Sequence, residues 1–146
     1  MSELLDPYHC ISNNLHQTAR AVTRIYGEEL RPSGLKRSQF SILGYLSRLD
    51  HLRLTELADL LFMERTTLTR NLKPLQNQGL IEMRSDPTDK RVKIVAITQE
   101  GRTRFSEALV LWRKAQQRMV EVFGLEQWRE LEATLRHLRA IVPTSN

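Results

Sequence analysis

The stretch from Leu54 to Ile81, LTELADLLFMERTTLTRNLKPLQNQGLI, decides the fold. Thr55, followed by Glu56 and a short apolar run, reads as the cap of a helix from Glu56 to about Leu61, with Leu57, Ala58, Leu60 and Leu61 facing inward. A second helix, from about Glu64 to Gln78, repeats Leu68, Leu72 and Leu75 at helical spacing, and Gly79 supplies its C-terminal stop. Its other side carries Arg65, Thr66, Thr67, Thr69 and Arg70. Two short helices joined by a tight turn, the second polar and cationic on one side, form a helix-turn-helix pattern. Pro74 lies inside the second helix, where it removes one backbone hydrogen bond and is expected to bend the last turn.

After Gly79 the hydrophobic period changes to two. Residues 80–84 and 91–97 read as strands, joined by Ser85-Asp86-Pro87-Thr88-Asp89-Lys90, which is rich in turn formers. The result is a hairpin with a basic tip. Thr98 then caps a long helix bearing Phe105, Ala108, Leu109, Trp112, Ala115, Met119 and Val122, closed near Gly124, and a last helix follows with its end at Pro143. Upstream, Asp6-Pro7 is expected to start the first helix, whose stripe of Tyr8, Ile11, Leu15, Thr18, Val22 and Ile25 has a heptad-like spacing. Arg31-Pro32-Ser33-Gly34 ends it, a further helix runs from Ser38 to about Leu49, and Asp50 and His51 turn the chain. The whole is mainly α with one small β-hairpin.

Charge is distributed unevenly along the 146 residues. The chain has 22 Lys and Arg against 17 Asp and Glu, a net charge of +5. Between Arg65 and Arg104 nine basic residues stand against four acidic ones, so this window holds the entire excess and the other 106 residues balance. A neutral body with one cationic segment is the pattern of a surface that faces phosphates. No apolar run approaches the roughly 18 residues that a spanning helix needs. The opening residues contain no apolar signal-like segment, and a cytoplasmic location is expected. The single cysteine, Cys10, excludes an intrachain disulfide and any zinc site built from several thiolates.

The ordered set Ser38-Gln39-Phe40, Leu54-Thr55-Glu56-Leu57-Ala58, Glu64-Arg65-Thr66-Thr67-Leu68-Thr69-Arg70, Gln78-Gly79-Leu80-Ile81, Asp86-Pro87-Thr88-Asp89-Lys90-Arg91 and Ile97-Thr98-Gln99-Glu100-Gly101 resembles the multiple-antibiotic-resistance regulator (MarR) family of winged helix-turn-helix transcription factors. The likeness covers the central two-thirds of the chain. It implies a homodimer intertwined through its N- and C-terminal helices, a winged helix-turn-helix lobe on each subunit, and a repressor released by a small ligand or an oxidant. Residues 35–101 are then the DNA-binding lobe, and residues 1–34 and 102–146 the dimerisation region. Two departures stand out. Thr88 occupies the place where the family's wing often has an arginine, and Glu64 is a longer, poorer helix cap than the usual Asp or Ser.

On this reading Arg65 and Arg70 reach guanine edges or phosphates, Thr66, Thr67 and Thr69 meet thymine methyls or phosphate oxygens, and Lys73 touches the backbone. In the wing, Arg84, Lys90, Arg91 and Lys93 approach the adjacent minor groove, while Asp86 and Asp89 shape the turn and hold arginines in place. The alternative for each is a solvated face or a structural turn acid. A two-fold dimer predicts a pseudo-palindromic operator with half-sites about one helical turn, roughly 10 base pairs, apart.

Cys10, beside His9 near the start of the first helix, resembles in position the reactive thiol of the family's organic-hydroperoxide sensors; the alternative is a small core residue. His9, Cys10 and His16 lack a fourth ligand, and no metal is expected. No nucleotide-binding, metalloprotease or nucleophile-elbow motif is present, so no enzyme activity and no cofactor are expected. A winged-helix adaptor that binds protein instead of DNA remains the alternative of another class; it gives no reason to concentrate cations on the second helix and the wing. The family's effector pocket, by the same resemblance, lies among the first helix, the start of the helix that begins at Ser38 and the long helix that follows Thr98.

Overall fold

The computed structural model describes residues 3–142. Six helices, α1 (Ile11–Leu30), α2 (Arg37–Leu49), α3 (Leu54–Leu61), α4 (Arg65–Asn77), α5 (Gln99–Phe123) and α6 (Leu125–Ile141), frame three strands, β1 (His51–Arg53), β2 (Ile81–Ser85) and β3 (Lys93–Ile97). The strands form one antiparallel sheet in the order β1-β3-β2, with His51 opposite Ala96 and Ser85 opposite Lys93. The core lies where α2, α3 and α4 close on this sheet. Leu30, Ile42, Leu43, Leu46, Leu57, Leu68, Leu72, Leu75, Leu80 and Val95 are wholly buried there. Each such side chain contributes about 1.5–3 kcal/mol by leaving water. A slab of Phe40, Phe105 and Trp112, with ring centroids 5.0 and 5.9 Å apart, joins this core to α5.

Several local expectations are corrected. Asp6-Pro7 starts a short 3-10 turn (Pro7–His9) instead of α1, and Asp6 accepts the Tyr8 N–H at 2.9 Å. The extended backbone of Cys10 separates that turn from α1, and the Asn14 side chain donates to the Cys10 carbonyl at 2.9 Å. Thr55 is not the cap of α3. Arg53 occupies that position, because the Glu56 carboxylate reaches back to its N–H at 2.9 Å. Asp50 does turn the chain, with φ 63°, but His51 enters a strand that had no signature of its own. Leu60 points outward at 42% exposure, whereas Leu57 and Ala58 are buried. Helix α4 continues through Pro74, whose carbonyl accepts from the Gln78 N–H, and ends at Asn77. The expected stop at Pro143 lies outside the described residues.

Other expectations agree with the coordinates. Thr98 caps α5 by accepting the Gly101 N–H at 3.0 Å, and Gly79 and Gly124 adopt positive φ at the two helix ends. Tyr8, Ile11 and Leu15 of the first stripe are exposed on the single chain, as are Val122, Phe123, Leu125, Leu131 and Ile141. Helix α6 buries none of its residues, and both α1 and α6 pack on α5. No helix is long and apolar enough to cross a membrane among the described residues.

Candidate nucleic-acid interface

Helix α4 is held by one face. Leu68, Leu72 and Leu75 are fully buried, which turns Arg65, Thr66, Thr69, Arg70 and Lys73 outward, all exposed. The turn from α3 is tight because Phe62 takes a left-handed conformation, φ 51° and ψ 40°, and its N–H and that of Met63 return to the end of α3. Glu64 makes no side-chain cap bond, consistent with its length. Thr67 is exposed on the flank of α4, next to Asn71, whose side-chain amide donates to the Thr67 carbonyl at 2.9 Å. Arg65, Arg70 and Lys73 take part in no ion pair among the described residues.

The β2–β3 hairpin is the wing, and its tip is built by two aspartates. Asp86 accepts the Thr88 hydroxyl at 2.6 Å and the Thr88 N–H at 2.8 Å, and Arg53 of β1 lies 4.0 Å from its other oxygen. Asp89 accepts the Arg91 N–H at 3.0 Å and takes its guanidinium in a two-pronged pair at 3.1 and 3.2 Å. Hydrogen bonds from Thr88 hold the Asp86 carboxyl below the usual aspartate range, and those from Arg91 do the same for Asp89. Both acids therefore shape the turn while ionised. Arg84, Lys90, Arg91 and Lys93 are all exposed. Lys93 also reaches the Ser85 hydroxyl at 3.4 Å.

Two cations of the basic window serve the lobe's interior. Arg102 donates to the Ser47 carbonyl at 3.1 Å and pairs with Asp50, which closes the C-terminal end of α2. Arg104 spans the Ser33 carbonyl and the Gln78 side chain. The sequence reading missed Arg53 beside the wing and the 2.7 Å hydrogen bond from the Ser38 hydroxyl to Asn71. Neither pairing has a local signal, since 33 residues separate its partners in each case.

The family model described as "MarR family" matches residues 33–92. The HTH-type transcriptional regulator YwoH of Bacillus subtilis is 31% identical over 111 residues, which cover 76% of this chain and 80% of YwoH. The chain belongs to the MarR family. Among solved members, the M. tuberculosis transcriptional regulator MosR in complex with DNA is 33% identical, with a TM-score of 0.80 over 88% of this chain and 92% of MosR. A cysteine-to-serine mutant of MarR from E. coli, complexed with operator DNA, shares the fold at 23% identity and a TM-score of 0.78, over 88% of this chain and 92% of that one. In the winged-helix fold of this family, α3 and α4 are the helix-turn-helix pair and β2–β3 the wing.

A cavity of about 910 Å³ opens between the lobe and the terminal helices. Its lining includes Tyr26 of α1, Arg37 and Phe40 of α2, Trp112 and Gln116 of α5, and Arg139 of α6. The Tyr26 hydroxyl donates to Gln116 at 2.6 Å, and burial pushes the phenol's pKa up. Cys10 is exposed and lies outside this lining. It is not a core residue of the single chain. Among the described residues no three His, Cys, Asp or Glu side chains gather as a metal site.

Proposed function

We propose that this MarR-family protein is a homodimeric, cytoplasmic transcriptional regulator that binds a pseudo-palindromic double-stranded operator and represses until a small ligand releases it. The observation that carries the reading is the division of α4: one face locked in the core by three leucines, the other presenting Arg65, Arg70 and Lys73 with no carboxylate partner among the described residues. Residues 35–101 form the DNA-binding lobe. Thr66, Thr67, Thr69 and the two arginines read or line the major groove, and Arg84, Lys90, Arg91 and Lys93 carry the wing to an adjacent minor groove. The exposed apolar stripes of residues 1–34 and 102–146 are covered by the second subunit.

The cavity supports the ligand half of the reading. Its aromatic floor, its Tyr26–Gln116 pair and the cations at its rim suit a small molecule with an aromatic body and an acidic group. Because α1, α2 and α5 all line it, a ligand that favours one arrangement of these helices shifts the spacing of the two lobes. The exposure of Cys10 favours a second reading, in which oxidation of this thiol to a sulfenic acid or a mixed disulfide does the releasing.

The test is a binding titration on the protein's own upstream DNA at two salt concentrations, with and without an organic hydroperoxide, repeated with Cys10→Ser. Specific, salt-sensitive binding supports the regulator, and its absence supports a protein-binding adaptor. Release by peroxide in the wild type alone assigns the switch to Cys10. Arg70→Ala is expected to weaken specific binding by about 1–3 kcal/mol. Unchanged affinity would show that α4 is not the reading element.

A further inference from the structure

Helix α4 is poorly held by its own backbone. At its start Glu64 makes no side-chain cap bond. In its interior Pro74 has no N–H to give the Arg70 carbonyl four residues before it, and the proline ring crowds that same carbonyl. The weakened turn is the one that carries Arg70 and Lys73, both exposed. Leu68, Leu72 and Leu75 fix which face of α4 is buried, but apolar contact has no direction and leaves the tilt of that turn open.

Among the described residues, the side-chain hydrogen bond that enters this turn from outside α4 comes from Ser38. Its hydroxyl, in the first turn of α2, donates to Asn71 Oδ1 at 2.7 Å, and the Asn71 side-chain amide donates to the Thr67 carbonyl at 2.9 Å. Ser38 and Asn71 are both half-buried. The Ser38 end is firm, because the neighbouring Gln39 is buried and accepts the Lys36 N–H at 3.0 Å, and Phe40 and Ile42 lie in the core. Asn71 therefore links α2 to the stretch of α4 that Pro74 loosens, and a hydrogen bond supplies the direction that the leucines do not.

We propose that Ser38 is a positioning residue for DNA recognition: through Asn71 it braces the turn of α4 that Pro74 weakens, and so aims Arg70 and Lys73. The inference rests on the reading above of α4 as the DNA-reading element. Neither Ser38 nor Asn71 has to touch DNA to act in this way. A turn free to tilt loses the alignment that hydrogen bonds to base edges require, whereas the attraction of its cations to phosphates tolerates a small displacement. The brace therefore contributes to specific affinity and not to non-specific affinity.

The experiment compares wild type, Ser38→Ala, Ser38→Thr, Pro74→Ala and the S38A/P74A double variant on the protein's own upstream DNA and on a scrambled duplex, across a potassium chloride series. Ser38→Ala is expected to lose about fivefold in affinity for the upstream DNA, the worth of one neutral hydrogen bond, and to keep its affinity for the scrambled duplex. Its salt slope stays that of the wild type, because no cation is removed. Ser38→Thr keeps the hydroxyl and restores the affinity. In Pro74→Ala the new N–H returns the helix bond to the Arg70 carbonyl, so removing the Ser38 hydroxyl from that background costs less than about twofold. Unchanged specific affinity in Ser38→Ala overturns the proposal. An equal loss on both duplexes also overturns it, since Ser38 would then be a phosphate contact or a general support of the fold. So does a fivefold loss that persists beside Pro74→Ala. Each of these results leaves the regulator reading standing, whereas a wild type that does not distinguish the two duplexes overturns both.

Discussion

Replacing Gly101 by alanine probes the junction where the first turn of α5 packs on Leu80, between α4 and the wing strand β2. An added Cβ would lie 2.1 Å from the Leu80 carbonyl oxygen, 2.9 Å from Cγ1 of Ile97 and 3.0 Å from the Leu80 carbonyl carbon. The first and last of these are backbone atoms, and Leu80 is wholly buried, so no flexible side chain can move aside. The same carbonyl accepts the Thr98 N–H at 3.1 Å, while the Thr98 hydroxyl donates to the Gly79 carbonyl at 2.6 Å. The first turn of α5 must retreat from the start of β2 by about 1 Å to restore ordinary contact. Overpacking of this kind costs about 1–3 kcal/mol, and loosening the Thr98 to Leu80 bond costs about 1 more. The better helix propensity of alanine returns about 1 kcal/mol. With backbone as the obstacle the cost falls at the upper end, a net loss of about 3 kcal/mol. For a chain of this size that is a fall in melting temperature of about 6–12 °C. The assay is thermal unfolding at one fixed protein concentration, because association shifts the midpoint. Gly27→Ala is the control: its added Cβ meets nothing within 4 Å, so helix propensity alone should raise stability by about 1 kcal/mol. A Gly101→Ala melting temperature within about 2 °C of wild type would refute the reasoning.

Three further outcomes follow from the interface. Lys90→Ala, at the open wing tip, should make the salt dependence of DNA binding shallower by about 0.9, whereas Arg102→Met should leave that slope unchanged and lower stability by about 1 kcal/mol, measured by unfolding. An equal slope change in both would place Arg102 on the phosphates after all. Because Asp86 and Asp89 are held below their ordinary values, their contribution to wing order is complete above the unfolded value of about 3.9 and lost as pH falls through the lower folded values. The amide resonances of Thr88 and Arg91 should thus stay constant from pH 8 to about 5 and move only below about pH 4. Thr88→Val removes the hydroxyl bond that contributes most to Asp86, so the Asp86 midpoint should rise; an unmoved midpoint would exclude that bond as the cause.

What was legible in the sequence was what repeats locally. Leu68, Leu72 and Leu75 announce the buried face of α4, and with it the outward face, because one helical period determines both. Gly79, Thr98 and Gly124 mark helix ends through backbone geometry that few residues adopt or satisfy. Strand β1 was not legible, since three residues carry no period and its partner, Ala96 opposite His51, is remote in sequence. The same limit governs charge. Counting cations along the chain marks out a basic window, but a count cannot tell a guanidinium that faces solvent from one that closes a helix. Arg102 and Arg104 fall inside the window and are spent on carbonyls of Ser47 and Ser33. Which cations stay turned to solvent is therefore a property of this chain's tertiary hydrogen bonds and not of the cation count alone.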